Sequence, residues 1–270
     1  MSPDVLFKQI QRKGSFLCVG LDSDPLRIPA FLQDYPDPVL EFNRRIIEAT
    51  KEYAVAYKPN LAFYEAMGPK GWETLAQTLE LIPEEIMTIA DAKRGDIGNT
   101  SRLYARAFFE TFNFDAVTVA PYMGEDSVGP FLEFSDKWVF LLALTSNPSA
   151  QDFQYQQEDG QYLYQRVIER SLRFAERYPG ELGFVVGATK AEAIGEIREQ
   201  APESFFLVPG VGAQGGDLAA VCQHGQSTKG GLLINSSRGI IFAGDGEDFA
   251  HKAGEAARSL QAQMKGLIGG

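Results

Sequence analysis

The sequence predicts a (β/α)8 barrel. Three observations point there: eight apolar runs of strand length, amphipathic segments of helical length between them, and a length of 270 residues, which suits one barrel domain. In chain order the runs are "FLCVGL", "AVAYK", "IMTIAD", "AVTVA", "WVFLLAL", "LGFVVG", "FFLVPG" and "LLINSS". Each is nearly continuous in hydrophobicity, as parallel strands covered on both faces require. Two intervening segments carry the helical period. One puts Leu103, Ala107 and Phe108 on an apolar side, with Arg102, Arg106 and Glu110 opposite. The other, "QYLYQRVIERSLRFAERY", puts Leu163, Val167 and Ile168 together. No Gly/Ser-rich linker or change of composition divides the chain, so residues 1–270 are expected to form a single domain. The least regular stretch, "TSNPSAQDFQYQQEDG" from Thr145 to Gly160, reads either as a lid or binding loop or as a merely mobile segment.

Composition narrows the function. Twenty-five Lys and Arg stand against 36 Asp and Glu, a formal net charge of −11. A field of that sign argues against nucleic acid or an anionic membrane as partner, and an anionic substrate needs a local positive pocket. Cys18 and Cys222 lie in apolar segments without metal-ligand spacing. Two histidines, His224 and His251, leave little for a histidine metal site or a Ser-His-Asp triad. The segment "MSPDVLFKQIQRKG" lacks the apolar core of a signal peptide, and "WVFLLAL" is too short to span a bilayer. A soluble, cytoplasmic protein is expected.

In such barrels chemistry sits at the C-terminal ends of the strands. Asp22 follows the first strand, Lys58 ends the second, and Asp91 and Lys93 end the third. Residues two apart on an extended chain share a side, so Asp91 and Lys93 are both expected to face the barrel mouth. Asp96 lies in the following turn. Alone, it reads equally as a carboxylate beside a helix N-terminus, where "GNTS" offers Asn99 and Thr100 as caps. A structural role weakens once Lys58 and Asp22 join the set. Alternating Lys and Asp keep one another ionised, and such an array suits a lysine that must stay a cationic proton donor in a closed site.

The stretch "PGVGAQGGD" contains G-x-G-x-x-G at Gly210, Gly212 and Gly215, after a strand. No acidic residue ends the next strand to bind a ribose diol, and six strands precede the motif, so a dinucleotide loop fits poorly. A loop in which glycine amides and Gln214 approach a phosphate, joined by Arg238, fits the barrel better.

Taken together, "LDSD", "YKPN", "DAKRGDIGNTS", "TSNPS", "PGVGAQGGD" and "NSSRG", in this order along nearly the whole chain, resemble the orotidine 5′-monophosphate decarboxylase family in its longer, mostly bacterial branch. The resemblance implies decarboxylation of a small nucleotide substrate without metal or organic cofactor, by a homodimer with shared active sites. It implies that Asp22 and Lys58 bind ribose hydroxyls and that Lys58 also holds Asp91. It places Asp91 against the substrate carboxylate and makes Lys93 the proton donor to C6. Asp96, Ile97 and Thr100 would reach the partner subunit's site, Ser146 would meet the pyrimidine, and Gln214 and Arg238 would hold the 5′-phosphate. Two positions depart from the family pattern. Gly98 stands where many members carry proline, and Ser237 stands where shorter relatives have glycine. Rival readings are a magnesium-dependent sugar-phosphate aldolase or decarboxylase of the same barrel superfamily, a catalytically silent nucleotide sensor, and an NAD oxidoreductase.

Overall fold

Each of the eight apolar runs forms a strand in the computed structural model, which describes residues 1–188, 191–211 and 217–268. They are β1 (Leu17–Leu21), β2 (Ala54–Pro59), β3 (Met87–Arg94), β4 (Ala116–Val119), β5 (Trp138–Leu144), β6 (Glu181–Val186), β7 (Phe206–Pro209) and β8 (Leu232–Ser236). The strands run parallel in sequence order and close into a barrel, β8 beside β1, so the fold is the expected (β/α)8 barrel. β1, β2 and β4 are buried at every position, which is why their sequences show no polar alternation.

By packing, the residues group into two compact units, Leu6–Ala92 with Asn235–Gly270, and Met1–Val5 with Lys93–Ile234. In the first, β1 pairs with β2 so that Gly20 lies opposite Lys58 and Leu21 opposite Pro59. Its core includes Phe42 stacked between Phe242 and Phe249, with ring centroids 5.6 and 5.1 Å away. The helix Pro38–Thr50 starts with Asp37, whose side chain accepts from the Leu40 amide, followed by a proline at the first helical position. In the second unit, β4, β5 and β6 pair in register from Ala116–Trp138 and Trp138–Glu181 onward. Trp138 there packs against Phe140 and Phe205.

Two helix faces differ from the sequence expectation. On Gly98–Arg106 and the π-turn after it, the buried residues are Ser101, Ala105, Phe108 and Phe109, whereas Leu103 is 52% exposed beside Tyr104. Ser101, Ala105, Phe108 and Phe109 are spaced i, i+4, i+7, i+8, an ordinary helical stripe that uses two small residues where the reading by hydrophobicity took Leu103. On Leu163–Ala175 the buried face is Tyr164, Ile168, Ser171 and Phe174, and Leu163 at the first position stays exposed.

The stretch from Thr145 to Gly160 is more regular than its composition suggests. Pro148–Asp152 is a 3-10 turn, and Gln157–Glu158 pairs antiparallel with Gln161–Tyr162. Asp159 and Gly160, with φ of 53° and 78°, form the two-residue turn between them. Asp-Gly is the dipeptide that tolerates two successive left-handed residues, a hairpin signal that reading the segment as irregular passes over. Tyr155, Tyr162 and Tyr164 pack mutually at 5.6–5.7 Å beneath it.

Candidate active site

The end of β2 carries a buried charge. Lys58 is 5% exposed, and its Nζ donates to Asp91 Oδ2 at 2.6 Å. Burial pulls the Lys58 ammonium towards deprotonation, but the charges of Asp91 and Asp22 outweigh it, and its pKa is raised above the ordinary lysine value. Cys18, on β1 under this group, is pushed up to about 12 by burial, with Lys58 opposing and Asp91 and Asp22 adding to the shift. It is therefore a neutral thiol, donating to Asn235 Oδ1. The sequence thus brings Lys58, Asp91 and Asp22 together as expected. Asn60, paired with Asp91 as an isolated parallel bridge, continues the β2–β3 register past Lys58.

Asp22 stands apart within this set. Its Oδ1 is buried and has no hydrogen-bond partner among the described residues. A buried carboxylate oxygen left unpaired marks a place where a donor from outside the chain fits. The chain beside it is held firmly. Ser23 Oγ donates to Asn43 Oδ1 at 2.6 Å, and Asn43 Nδ2 donates to both Tyr64 Oη and Thr78 Oγ1 at 3.0 Å. All four side chains are fully buried. This network escaped sequence reasoning because a lone Asn in a helix and a lone Thr in another carry no pattern.

Lys93 follows Asp91 by two residues on β3, but not in the expected way. Its φ is +46°, so the alternation of an extended strand breaks at this residue and the same-side argument for Asp91 and Lys93 does not apply. Left-handed backbone is uncommon for a residue with a long side chain. The Lys93 amide donates to Thr118 Oγ1 at 2.9 Å, and the Ala120 amide donates to Arg94 O at 2.7 Å. The turn after β3 is thus stapled to β4 on both sides of the bend.

Asp96 sits in that turn, half-buried, its Oδ1 accepting from the Ile97 amide at 2.7 Å. Ile97 is the cap of the helix Gly98–Arg106, and neither Asn99 nor Thr100 caps it, so the expected capping role falls away. Ile97 is 58% exposed and Thr100 is exposed beside it. Gly98 has φ +51°, a conformation closed to proline.

Ser146 lies two residues beyond β5. A Cβ on Gly187 would come within 2.9 Å of the Ser146 amide nitrogen, so only glycine after β6 permits this approach. Gln154 braces the same turn. Its Oε1 accepts from the Thr145 amide and its Nε2 donates to Thr145 Oγ1, both at 2.8 Å. Arg238 opens the short helix Arg238–Ile241 after β8 and is exposed. Ser237 Oγ accepts from Asn235 Nδ2 at 3.3 Å and fills the space above Gly20, where a Cβ would come within 1.9 Å of it. Gln214, with Gly212 and Gly215 of the glycine-rich stretch, lies outside the described residues. Among the described residues, no three His, Cys, Asp or Glu side chains gather as a metal site, and no helix is long and apolar enough to cross a membrane. A cleft of about 530 Å³ between the helices Glu125–Leu132 and Leu163–Ala175 contains none of the expected residues.

The chain is a parallel (β/α)8 barrel with a buried lysine–carboxylate pair at the ends of β2 and β3, the strand ends at which barrel enzymes carry their active sites. The chain belongs to the orotidine 5′-phosphate decarboxylase / HUMPS family, whose profile matches residues 15–253. It is 56% identical over 267 residues to the orotidine 5′-phosphate decarboxylase of Christiangramia forsetii, covering 98% of this chain and 97% of that protein. The enzyme of the same name from Flavobacterium johnsoniae is 55% identical over 271 residues, with 99% and 98% covered. Among solved structures, Leishmania donovani OMP decarboxylase is 38% identical with a TM-score of 0.80, covering 97% of this chain and all of that one.

Proposed function

We propose that the chain, as one barrel domain over residues 1–270, converts orotidine 5′-monophosphate to uridine 5′-monophosphate in pyrimidine biosynthesis, without metal or organic cofactor. The observation that carries this reading is the Lys58–Asp91 pair held at 2.6 Å, with Asp91 two residues before Lys93 on β3, in a chain more than half identical to proteins of that name. In the reaction the C6–carboxylate bond breaks, carbon dioxide leaves, and the electron pair stays on C6. Lys93 stabilises that developing charge with its ammonium and then gives C6 a proton, to be replenished from solvent. Asp91 lies against the leaving carboxylate, fixed by Lys58. Asp22 and Lys58 take the ribose hydroxyls, which is supported by the unpaired Oδ1 of Asp22. Ser146 meets the pyrimidine, and Gln214 and Arg238 hold the phosphate, whose binding energy orders the site around the reacting carbon.

The working unit in this reading is a cytoplasmic homodimer in which Asp96, Ile97 and Thr100 serve the neighbour's site. The exposed apolar side chains Ile97, Leu103 and Tyr104 on that turn and helix support it. The test is loss of substrate ultraviolet absorbance with purified protein in the presence of a chelator. Turnover is expected to persist, and its absence, or its dependence on added magnesium, sinks the reading. Mixing inactive Lys93→Ala and Asp96→Ala proteins is expected to restore activity, because each hybrid dimer has one intact site. No recovery refutes the shared site.

A further inference from the structure

We infer that Thr118 is a positioning residue for Lys93: its buried hydroxyl holds the lysine's backbone in the left-handed bend that sets where the ammonium leaves the strand. This role rests on the decarboxylase function proposed above. Four observations carry it. Lys93 has φ +46°. Lysine gains nothing from that region, unlike Gly, Asn or Asp, so something outside the residue must hold it there. Strain of this kind persists where the surroundings over-determine it, and it gathers at functional sites. The hold is visible, since the Lys93 amide donates to Thr118 Oγ1 at 2.9 Å.

The third observation is the position of Thr118. It is 1% exposed at the centre of β4, between Val117 and Val119 and opposite Phe140 of β5. A threonine there is locked by its branched Cβ and by close packing, which makes its oxygen a fixed reference point. The fourth is the second staple, Ala120 amide to Arg94 O at 2.7 Å, which stops the chain beyond the bend from unwinding. Valine has nearly the shape of threonine and would fill the same space without the acceptor.

A lysine in extended conformation would send its side chain from the other side of the strand. Misplacing a reacting group by about 1 Å costs on the order of 10²-fold in rate. Thr118→Val is therefore expected to lower kcat by about 10- to 100-fold with KM within about twofold, because substrate contacts are left in place. Thr118→Ser, which keeps the acceptor, is expected to stay within about threefold of wild type in kcat. Equal losses in the two variants, an unchanged kcat in Thr118→Val, or a change in KM alone would each overturn the assignment.

A second measurement is independent of turnover. In amide hydrogen exchange by NMR, the Lys93 amide is expected to lose about tenfold or more of its protection in Thr118→Val and to keep it in Thr118→Ser. Unchanged protection in the valine variant refutes the hold on the backbone. A wild-type protein with no decarboxylase activity but this exchange pattern would instead overturn the function proposed above and leave the structural role of Thr118 standing.

Discussion

At the end of β2 the Lys58 ammonium is buried and clamped, 2.6 Å from Asp91, and its pKa is raised by the two aspartates around it. At the end of β3 Lys93 is exposed, and its backbone is bent to φ +46° and tied to a threonine hydroxyl. The two lysines stand on neighbouring strands of one barrel and are held by different means. A charge that only has to stay put can be pinned through its own ammonium. At Lys93 the backbone itself is gripped, through its amide and the bend around it. The difference teaches that one barrel can fix a lysine either through its charge or through its backbone.

The largest effect is expected from Lys93→Ala, which removes the proposed donor from an exposed position. Turnover should fall about 10³-fold or more, with the circular dichroism spectrum and urea midpoint near wild type. Near-normal turnover would erase the distinction between the lysines. Lys58→Met should behave in the opposite sense and lower stability by about 3–5 kcal/mol in urea unfolding, because Asp91 is left buried without its cation. A midpoint unchanged from wild type would show that the pair is not the anchor.

The pH dependence sharpens the same contrast. Because the folded pKa of Lys58 lies above the ordinary 10.5, its stabilising contribution is complete below pH 10.5 and disappears only as the pH rises through the raised folded value. The stability gap between wild type and Lys58→Met should therefore stay constant from pH 7 to 10 and narrow above that. A gap that closes near neutrality contradicts a raised pKa.

Smaller again, Asn43→Ala should cost about 2–3 kcal/mol, since it strips hydrogen bonds from the buried hydroxyls of Ser23, Tyr64 and Thr78. It tests whether the β1 end is as firmly held as that of β2. The smallest effect is expected for Gly98→Ala, about 1 kcal/mol, because a Cβ there meets nothing within 4 Å and only the positive φ opposes it. A much larger loss would mean that the turn after β3 is gripped by more than Thr118 and Arg94.

Much of this was legible in the sequence. Continuous apolar runs gave all eight strands, since a strand buried on both faces leaves no other pattern, and Asp22, Lys58 and Asp91 meet where their strands end. What stayed hidden depends on contacts distant in sequence or on single backbone angles. The bend at Lys93 cannot be inferred from "DAKRGD", because its cause, Thr118, sits 25 residues away in an otherwise ordinary apolar strand. The exposure of Leu103 was hidden because the small residues Ser101 and Ala105, not the large apolar one, face the core. The hairpin at Asp159–Gly160 was legible in principle, and only the polar composition around it obscured the signal.

Gly20 and Ser237 lie on the first strand and just past the last, and the hydroxyl of Ser237 occupies the space a β-carbon on Gly20 would need. These two positions therefore cannot vary independently. Alanine at the first is expected to be tolerated only where the second has given up its side chain, since the Ser237 Oγ and Cβ lie 1.9 and 2.9 Å from that β-carbon. Ser237 and Gly20 are thus coupled through a single contact, and a variant at either one is best read together with the other.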